Sequence, residues 1–306
     1  MKVLVTGGAG FIGSHIVDRL IEAGFQTVVL DNLSAGCLAN VNPAARFMQK
    51  DVRDRDLADL LRAEPFDFVV HQAAQTTVPK SLTDPYYDCD VNIMGLVNVL
   101  EACRSSGVKR IVFASSAAVY GDPADLPLSE EADKQPTSFY GLSKLVAEKY
   151  LELYYKNFGL EYVALRYANV YGERQTDSGE GGVISIFLTK ALVDEPLTVF
   201  GDGTQTRDFI YVRDVAEANY RALFTANANR SYNISTGQEI SVNELIGLMQ
   251  QLVEKPLITQ YAPPRAGDIY RSVLNNAAAR AMLGWQPNYS LAEGLGRTLA
   301  SLRQRG

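Results

Sequence analysis

Tyr140 and Lys144 stand four residues apart in the segment S-F-Y-G-L-S-K. Positions i and i+4 share a helix face, so a phenol and an ammonium are directed toward one pocket. A cation within a few ångströms favours phenolate and lowers its pKa from about 10, which makes the pair a proton acceptor near neutral pH. Ser116 follows an apolar run, residues 111–114, in V-F-A-S-S-A-A-V-Y-G. A hydroxyl at the end of a strand is placed to hold or relay that proton. A Y-x-x-x-K spacing also arises by chance in many helices, so its weight depends on the rest of the chain.

The first thirty residues supply that weight. A short apolar run, residues 3–6, ends in G-G-A-G-F-I-G, and from residue 12 to 23 apolar positions recur at helical spacing. Gly7, Gly10 and Gly13 therefore lie at a strand-to-helix turn. Glycines there allow a tight turn and let a pyrophosphate approach the amides of the helix N-terminus. A second apolar strand, residues 27–30, ends in Asp31, 18 residues after Gly13. An acid at that point accepts both ribose hydroxyls of an adenosine and repels a 2′-phosphate, which predicts NAD over NADP.

These groups need elements to position them, and strand and helix keep alternating. Residues 46–52 form a run ending at Asp51 and Val52. Asp54 is expected to cap a helix to about 62, and 67–74 is a buried strand. A helix after Pro85 runs through Asn92 to 104, followed by a strand at 110–115, a helix at 140–157 and a strand at 162–170. Near-continuous apolar strands between helices predict an α/β fold, a doubly wound parallel sheet of the Rossmann kind. Ligands in such sheets sit beyond the carboxyl ends of the strands. Gly7, Asp31, Ala73, Ser116 and Asn169 all fall at such ends. Two long connections, 121–138 and 172–182, interrupt the rhythm and are expected to be functional or mobile. The expected division is a nucleotide-binding domain over residues 1–170, which also receives later segments, and a smaller, discontinuous mixed α/β domain over 171–306.

Composition narrows the class. Of 306 residues 47% are hydrophobic and 21% charged, with a net charge of −6. That balance argues against a nucleic-acid surface, while an anionic nucleotide needs only a few local cations. Cys37, Cys89 and Cys103 show no metal spacing or paired framework, and the chain has only 2 histidines, so no metal site is expected. Free thiols fit a reducing, cytoplasmic setting. No stretch reaches the roughly 18 apolar residues of a membrane span, and the strand-like M-K-V-L-V-T-G at the start gives no sign of a signal peptide.

On V-T-G-G-A-G-F-I-G-S, H-Q-A-A, S-S-A-A-V-Y-G, Y-G-L-S-K, L-R-Y-A-N-V-Y-G, G-D-G-T-Q-T-R-D-F-I-Y-V-R-D-V-A and P-R-A-G-D-I, the chain resembles the extended short-chain dehydrogenase/reductase family. Within it, the chain is similar to nucleotide-sugar 4-epimerases of the UDP-glucose (UDP-galactose) kind over essentially its whole length. The resemblance implies a tightly held NAD, a UDP-hexose substrate, a C-terminal domain that holds the sugar nucleotide, and a homodimer formed through a helical bundle. It implies cofactor contacts at Gly7, Gly10, Phe11, Ile12, Gly13, Asp31, Asn32, Asp51, Val52, Ala73, Ala74, Asn92, Tyr140 and Lys144. Substrate contacts are implied at Ser116, Tyr140, Asn169, Arg207, Arg265, Asp268 and Ser272. Guanidinium groups suit pyrophosphate oxygens, which favours Arg207 and Arg265 as clamps over ordinary surface arginines. Asn92 has a plainer alternative, fastening a turn of its own helix, and Asp51 another, capping.

The sequence departs from the family pattern twice. Thr76 stands where some members carry a lysine for the cofactor phosphates. Ser272 stands where many 4-epimerases carry a tyrosine, which leaves room for an N-acetyl group at C2 unless the register shifts to Tyr270 or Arg271. The implied reaction is oxidation and re-reduction at C4 with Ser116, Tyr140 and Lys144 as catalytic residues. A dehydratase needs an acid after the serine motif, where this chain has Ala117 and Ala118. A uronic-acid 4-epimerase remains open through Arg271. A non-catalytic NAD sensor is expected to lack one of the three catalytic groups, and this chain has all three.

Overall fold

The computed structural model describes residues 1–176, 182–264 and 269–304. The apolar runs become strands β1 (Lys2–Thr6), β2 (Gln26–Asp31), β3 (Arg46–Gln49), β4 (Phe68–His71), β5 (Arg110–Ser116) and β6 (Glu161–Tyr167). Shorter strands follow: β7 (Asn169–Tyr171), β8 (Leu197–Phe200), β9 (Thr206–Arg207), β10 (Phe209–Tyr211), β11 (Arg230–Ile234), β12 (Ile240–Ser241) and β13 (Thr259–Ala262). Seven of them form one parallel sheet in the order β11-β6-β5-β4-β1-β2-β3. From β1 the chain moves outward to β2 and β3, then crosses to β4 on the other side of β1. A switch point of this kind opens a crevice at the carboxyl ends of β1 and β4.

Both faces of the sheet are covered, which is why its strands are apolar throughout. Val3 and Val5 point to a core shared with α1 (Phe11–Glu22), while Leu4 points to the opposite core. The second face is covered by α2 (Leu57–Ala63), α5 (Gly95–Ser106) and α6 (Phe139–Phe158), with α3 (Val78–Thr83) and α4 (Pro85–Cys89) leading into α5. Later segments return to the first face. There α8 (Val212–Ala222) packs on α1, and β11 extends the sheet beside β6. A third core gathers α7 (Val183–Leu192), α9 (Val242–Val253) and α10 (Leu291–Arg303) around Tyr171, Leu197, Phe209 and Tyr211.

Three sequence expectations change. The strand expected over 162–170 is two strands. After Ala168, whose amide still donates to the Ile234 carbonyl, the Asn169 amide turns to the Asp208 carbonyl at 2.9 Å, and β7 pairs with β10. The helix expected from Asp54 begins at Leu57, because the Asp54 carboxylate accepts from the Asp51 amide at 3.1 Å instead of capping. The helix after Pro85 contains a wide π-type turn at Asp90–Met94, a local distortion common at functional sites. Among the described residues no helix is long and apolar enough to cross a membrane.

Candidate active site

The glycine turn is built by close contacts. Gly7 takes φ +70°, and a Cβ there would lie 2.6 Å from the Ala73 amide nitrogen. A Cβ on Gly13 would lie 2.1 Å from the Gly7 carbonyl oxygen. Gly10 precedes α1 with no side-chain cap, so the first-turn amides, including those of Phe11 and Ile12, face the turn with the positive end of the helix behind them. Asp31 at the end of β2 is buried; its carboxylate accepts from the amides of Ala9 (3.0 Å) and Leu33 (2.8 Å). Two acceptor oxygens, a bare helix N-terminus and a cradle too tight for any Cβ suit a dinucleotide. Ala73 and Ala74, partly buried at the end of β4, form its wall.

The positions of Ser116, Tyr140 and Lys144 are set by the fit of α6 against β5. Ser138 caps α6 by accepting from the Gly141 amide at 3.1 Å. Gly141 meets the turn after β5 so closely that a Cβ would lie 2.4 Å from the Ala118 carbonyl. Ser116 accepts from the Ala118 amide at 3.2 Å and hydrogen-bonds the Tyr140 phenol. One turn along, Lys144 donates to the Ala114 carbonyl at 2.8 Å, with its ammonium 4.8 Å from the Phe113 ring centre and 5.8 Å from that of Tyr140. A further turn on, Glu148 accepts from Ser115 at 2.6 Å and receives Arg166 in a buried bidentate pair, at 2.9 and 2.7 Å. Residues 140, 144 and 148 thus fix α6 along β5 at three successive turns.

The electrostatics correct one expectation. Lys144 does not bring the phenol down within the chain's own field. Burial pushes Tyr140 up, Asp88 adds to the rise, and the Ser116 hydrogen bond opposes both. Burial also pulls Lys144 down to about 8, so the ammonium is itself labile.

Other expected residues have different surroundings. Asn92 is buried and spent on the protein. Its oxygen accepts from the Gln75 amide (2.8 Å), and its nitrogen donates to the Gln75 carbonyl, Asp88 and Ser143 (3.0, 3.2 and 3.1 Å). These bonds give Asn92 the plainer role: it fastens the π-type turn to α6. Val52 turns its side chain into the core under Gly95 and offers only backbone to a ligand. Asp51 is not a simple cap; Arg53 engages it at 2.9 and 2.8 Å and holds it well below the usual carboxylate range, with Asn32 donating at 2.8 Å.

On the far side of the crevice Asp208 joins three segments. Its backbone carbonyl accepts from Asn169. Its buried carboxylate accepts from Thr236 (2.9 and 2.6 Å), the Gly237 amide (3.0 Å) and the Leu274 amide (3.4 Å). This brings exposed Asn169, half-buried Arg207 and half-buried Ser272 into one neighbourhood. Tyr270 bonds Thr204 at 2.6 Å, and Arg271 is held by Glu239 at 3.0 and 2.6 Å. Arg265 and Asp268 lie outside the described residues. Sequence reasoning missed Asp88, Ser143, Glu148, Arg166 and Asp208. All five lie within or near recognised segments, Asp208 beside Arg207 in one of them, but only their contacts mark them.

A nucleotide cradle and a Ser-Tyr-Lys trio at one switch point agree with the comparison to known proteins, in which a model of the NAD dependent epimerase/dehydratase family matches residues 3–235. The chain belongs to that family. Among its relatives, the UDP-glucose 4-epimerase of Mycolicibacterium smegmatis is 41% identical over 311 residues, covering 100% of this chain and 99% of that one. The crystal structure of UDP-glucose 4-epimerase from Thermotoga maritima with UDP-glucose superposes with a TM-score of 0.97. It is 40% identical and covers 100% of this chain and 99% of its own. The UDP-N-acetylglucosamine 4-epimerase of Methanobrevibacter ruminantium, in complex with UDP-N-acetylmuramic acid, gives 0.96 at 34% identity, with the same coverage.

Proposed function

We propose that this family member is an NAD-dependent 4-epimerase of UDP-hexoses. The observation that carries the reading is the seating of α6 on β5, which gathers Tyr140, Lys144 and Ser116 beside the glycine cradle. Tyr140 takes the proton of the sugar 4-hydroxyl and Ser116 holds that hydroxyl. Lys144, with one N–H on the Ala114 carbonyl, keeps two for ribose hydroxyls. Gly7, Gly10, Gly13 and the first turn of α1 hold the pyrophosphate, with Asp31 on the adenosine ribose. NAD held there would supply the reversible hydride acceptor for C4 and a positive charge in the pocket. Bringing a phenol from about 10 to near 7 needs roughly 4 kcal/mol, and burial opposes it here, so that added charge rather than Lys144 alone makes Tyr140 a base. The 4-keto sugar turns while Arg207 and Arg265 anchor the diphosphate, and re-reduction on the opposite face inverts C4 with no net redox change.

The engagement of Tyr270 with Thr204 and of Arg271 with Glu239 supports Ser272 as the residue facing the sugar, and so a pocket open to an N-acetyl group. The same Glu239 pairing weakens Arg271 as a binder of a uronic carboxylate. Residues 1–170 with returning α8 and β11 are read as the cofactor domain, and the third core as part of the sugar-nucleotide domain. A stripe on α6 (Phe139, Leu142, Val146, Tyr150 and Leu153) with Met94, Leu82 and Tyr86 supports a homodimer through packed helices. The unpaired thiols suit the cytoplasm.

The test is incubation of purified protein, without added cofactor, with UDP-galactose and separately with UDP-N-acetylgalactosamine, followed by NMR. Conversion of both is the expected result. Conversion of UDP-galactose alone removes the Ser272 argument, and conversion of neither with NAD bound removes the substrate assignment.

A further inference from the structure

Three hydrogen bonds converge on the carboxylate of Glu239, which has no role in the reaction scheme above. Its Oε1 accepts from the Thr206 hydroxyl at 2.6 Å and from Arg271 Nε at 3.0 Å, and its Oε2 accepts from Arg271 Nη2 at 2.6 Å. The backbone around Glu239 is held on both sides. Two residues before it, the Gly237 amide donates to Asp208 at 3.0 Å. Directly after it, β12 pairs with β9, with Ile240 opposite Arg207 and Ser241 opposite Thr206. The segment carrying Arg271 is pinned as well. The Tyr270 carbonyl accepts from the Thr206 amide at 2.9 Å, and the Leu274 amide donates to Asp208 at 3.4 Å. Glu239 thus joins the strand of Arg207 to the segment of Ser272 by gripping the residue next to each.

Arg271 carries the charge that matters for substrate choice. Its side chain is 53% exposed and adjoins Ser272, and a guanidinium fork takes a carboxylate in two parallel bonds. Glu239 already fills that fork. We propose that Glu239 is a positioning residue for substrate choice. By holding Arg271 in a bidentate pair, it denies the sugar end of the pocket a cation for a C6 carboxylate, and so favours neutral hexoses over uronic acids. The inference rests on the pocket proposed above, with Ser272 facing the sugar. Discrimination of this kind comes from what is set against the wrong ligand as much as from contacts to the right one.

Glu239→Gln separates the two contacts of the carboxylate. With the amide oxygen in the place of Oε1, the side chain still accepts from Thr206. The amide nitrogen in the place of Oε2 meets Arg271 Nη2, donor against donor. Arg271 is released while the Thr206 bond beside Arg207 is kept. The pair is partly exposed, so the effect is modest, about fivefold at low ionic strength, and is screened by salt.

The test is titration calorimetry of the NAD-loaded protein with UDP-galacturonate and with UDP, whose affinity ratio isolates the sugar end. In Glu239→Gln the ratio is expected to move about fivefold toward UDP-galacturonate, while KM for UDP-galactose stays within about twofold. Adding Arg271→Ala should abolish that gain. Thr206→Val removes a bond but no charge and should leave the ratio unmoved. A wild-type ratio in Glu239→Gln, a gain that persists in the double variant, or an equal gain in Thr206→Val would overturn the proposal. Wild-type protein that binds UDP but leaves UDP-galactose unconverted would reject the substrate reading itself, whereas conversion with an unmoved ratio in Glu239→Gln rejects only the role of Glu239.

Discussion

At the scale of single residues the site is a contest between burial and charge. Tyr140 must ionise in a place that disfavours anions, and the nearest ammonium is itself pulled down to about 8 by the same burial. The chain supplies a hydroxyl partner in Ser116 and leaves the remaining positive charge to the cofactor. General-base loss is worth about 10²–10⁴ in rate. Tyr140→Phe is therefore expected to lose about that much kcat while keeping bound NAD and an unchanged melting temperature. Full activity in that variant, measured by coupled assay or NMR, would dismiss the mechanism. His71 makes a separate contribution. Its folded pKa of about 3 lies below the ordinary 6.5, so the unfolded chain binds a proton that the folded chain refuses. Stability present above about pH 6.5 is then lost as pH falls toward 3, by about 2 kcal/mol between 6.5 and about 5. The unfolding free energy lost between pH 6.5 and 5, measured by denaturant unfolding, should be about 2 kcal/mol larger in wild type than in His71→Gln; an equal loss would mean that His71 is not held neutral.

At the scale of elements, the important interface is α6 against β5 and the turn that follows it. Lys144 and Glu148 hold α6 lengthwise, and Gly141 sets how closely its first turn approaches Ala118. Gly141→Ala would place a methyl 2.4 Å from a backbone oxygen, which must push that turn outward. A shift near 1 Å costs roughly 10²-fold in a positioned reaction. The variant is expected to lose about that much kcat with NAD content retained, and wild-type kcat would show that the turn relaxes without moving Tyr140. The Asp208 junction does similar work beside Arg207, holding β7, the Thr236–Gly237 turn and the Leu274 segment together.

At the scale of the whole molecule, the parallel sheet collects groups from distant parts of the sequence along one edge, and later segments close that edge from above. The apolar stripe of α6 lies opposite its Lys144–Glu148 face, so the proposed catalytic and association surfaces fall on opposite sides of one helix. Leu153, 54% exposed, is the most exposed residue of the stripe on α6 and ends it. Leu153→Glu is expected to convert a dimer to a monomer in sedimentation at micromolar concentration, since a desolvated carboxylate is disfavoured in a packed interface. A wild-type dimer in that variant would move the interface elsewhere.

The sequence by itself determined what depends on local spacing. It determined the glycine turn with its acid at the next strand end, the i,i+4 pair on α6, and the alternation that dictates a doubly wound sheet. These survive because helix and strand periods act over a few residues. Tertiary structure alone decided the rest. Asn92 proved to be a fastener, Val52 a core residue and Asp51 an ion-paired one, because each partner comes from another element. The sign of the Tyr140 shift was likewise undecided by the spacing to Lys144. Desolvation sums over everything that surrounds the phenol, and in this molecule it outweighs the cation one turn away.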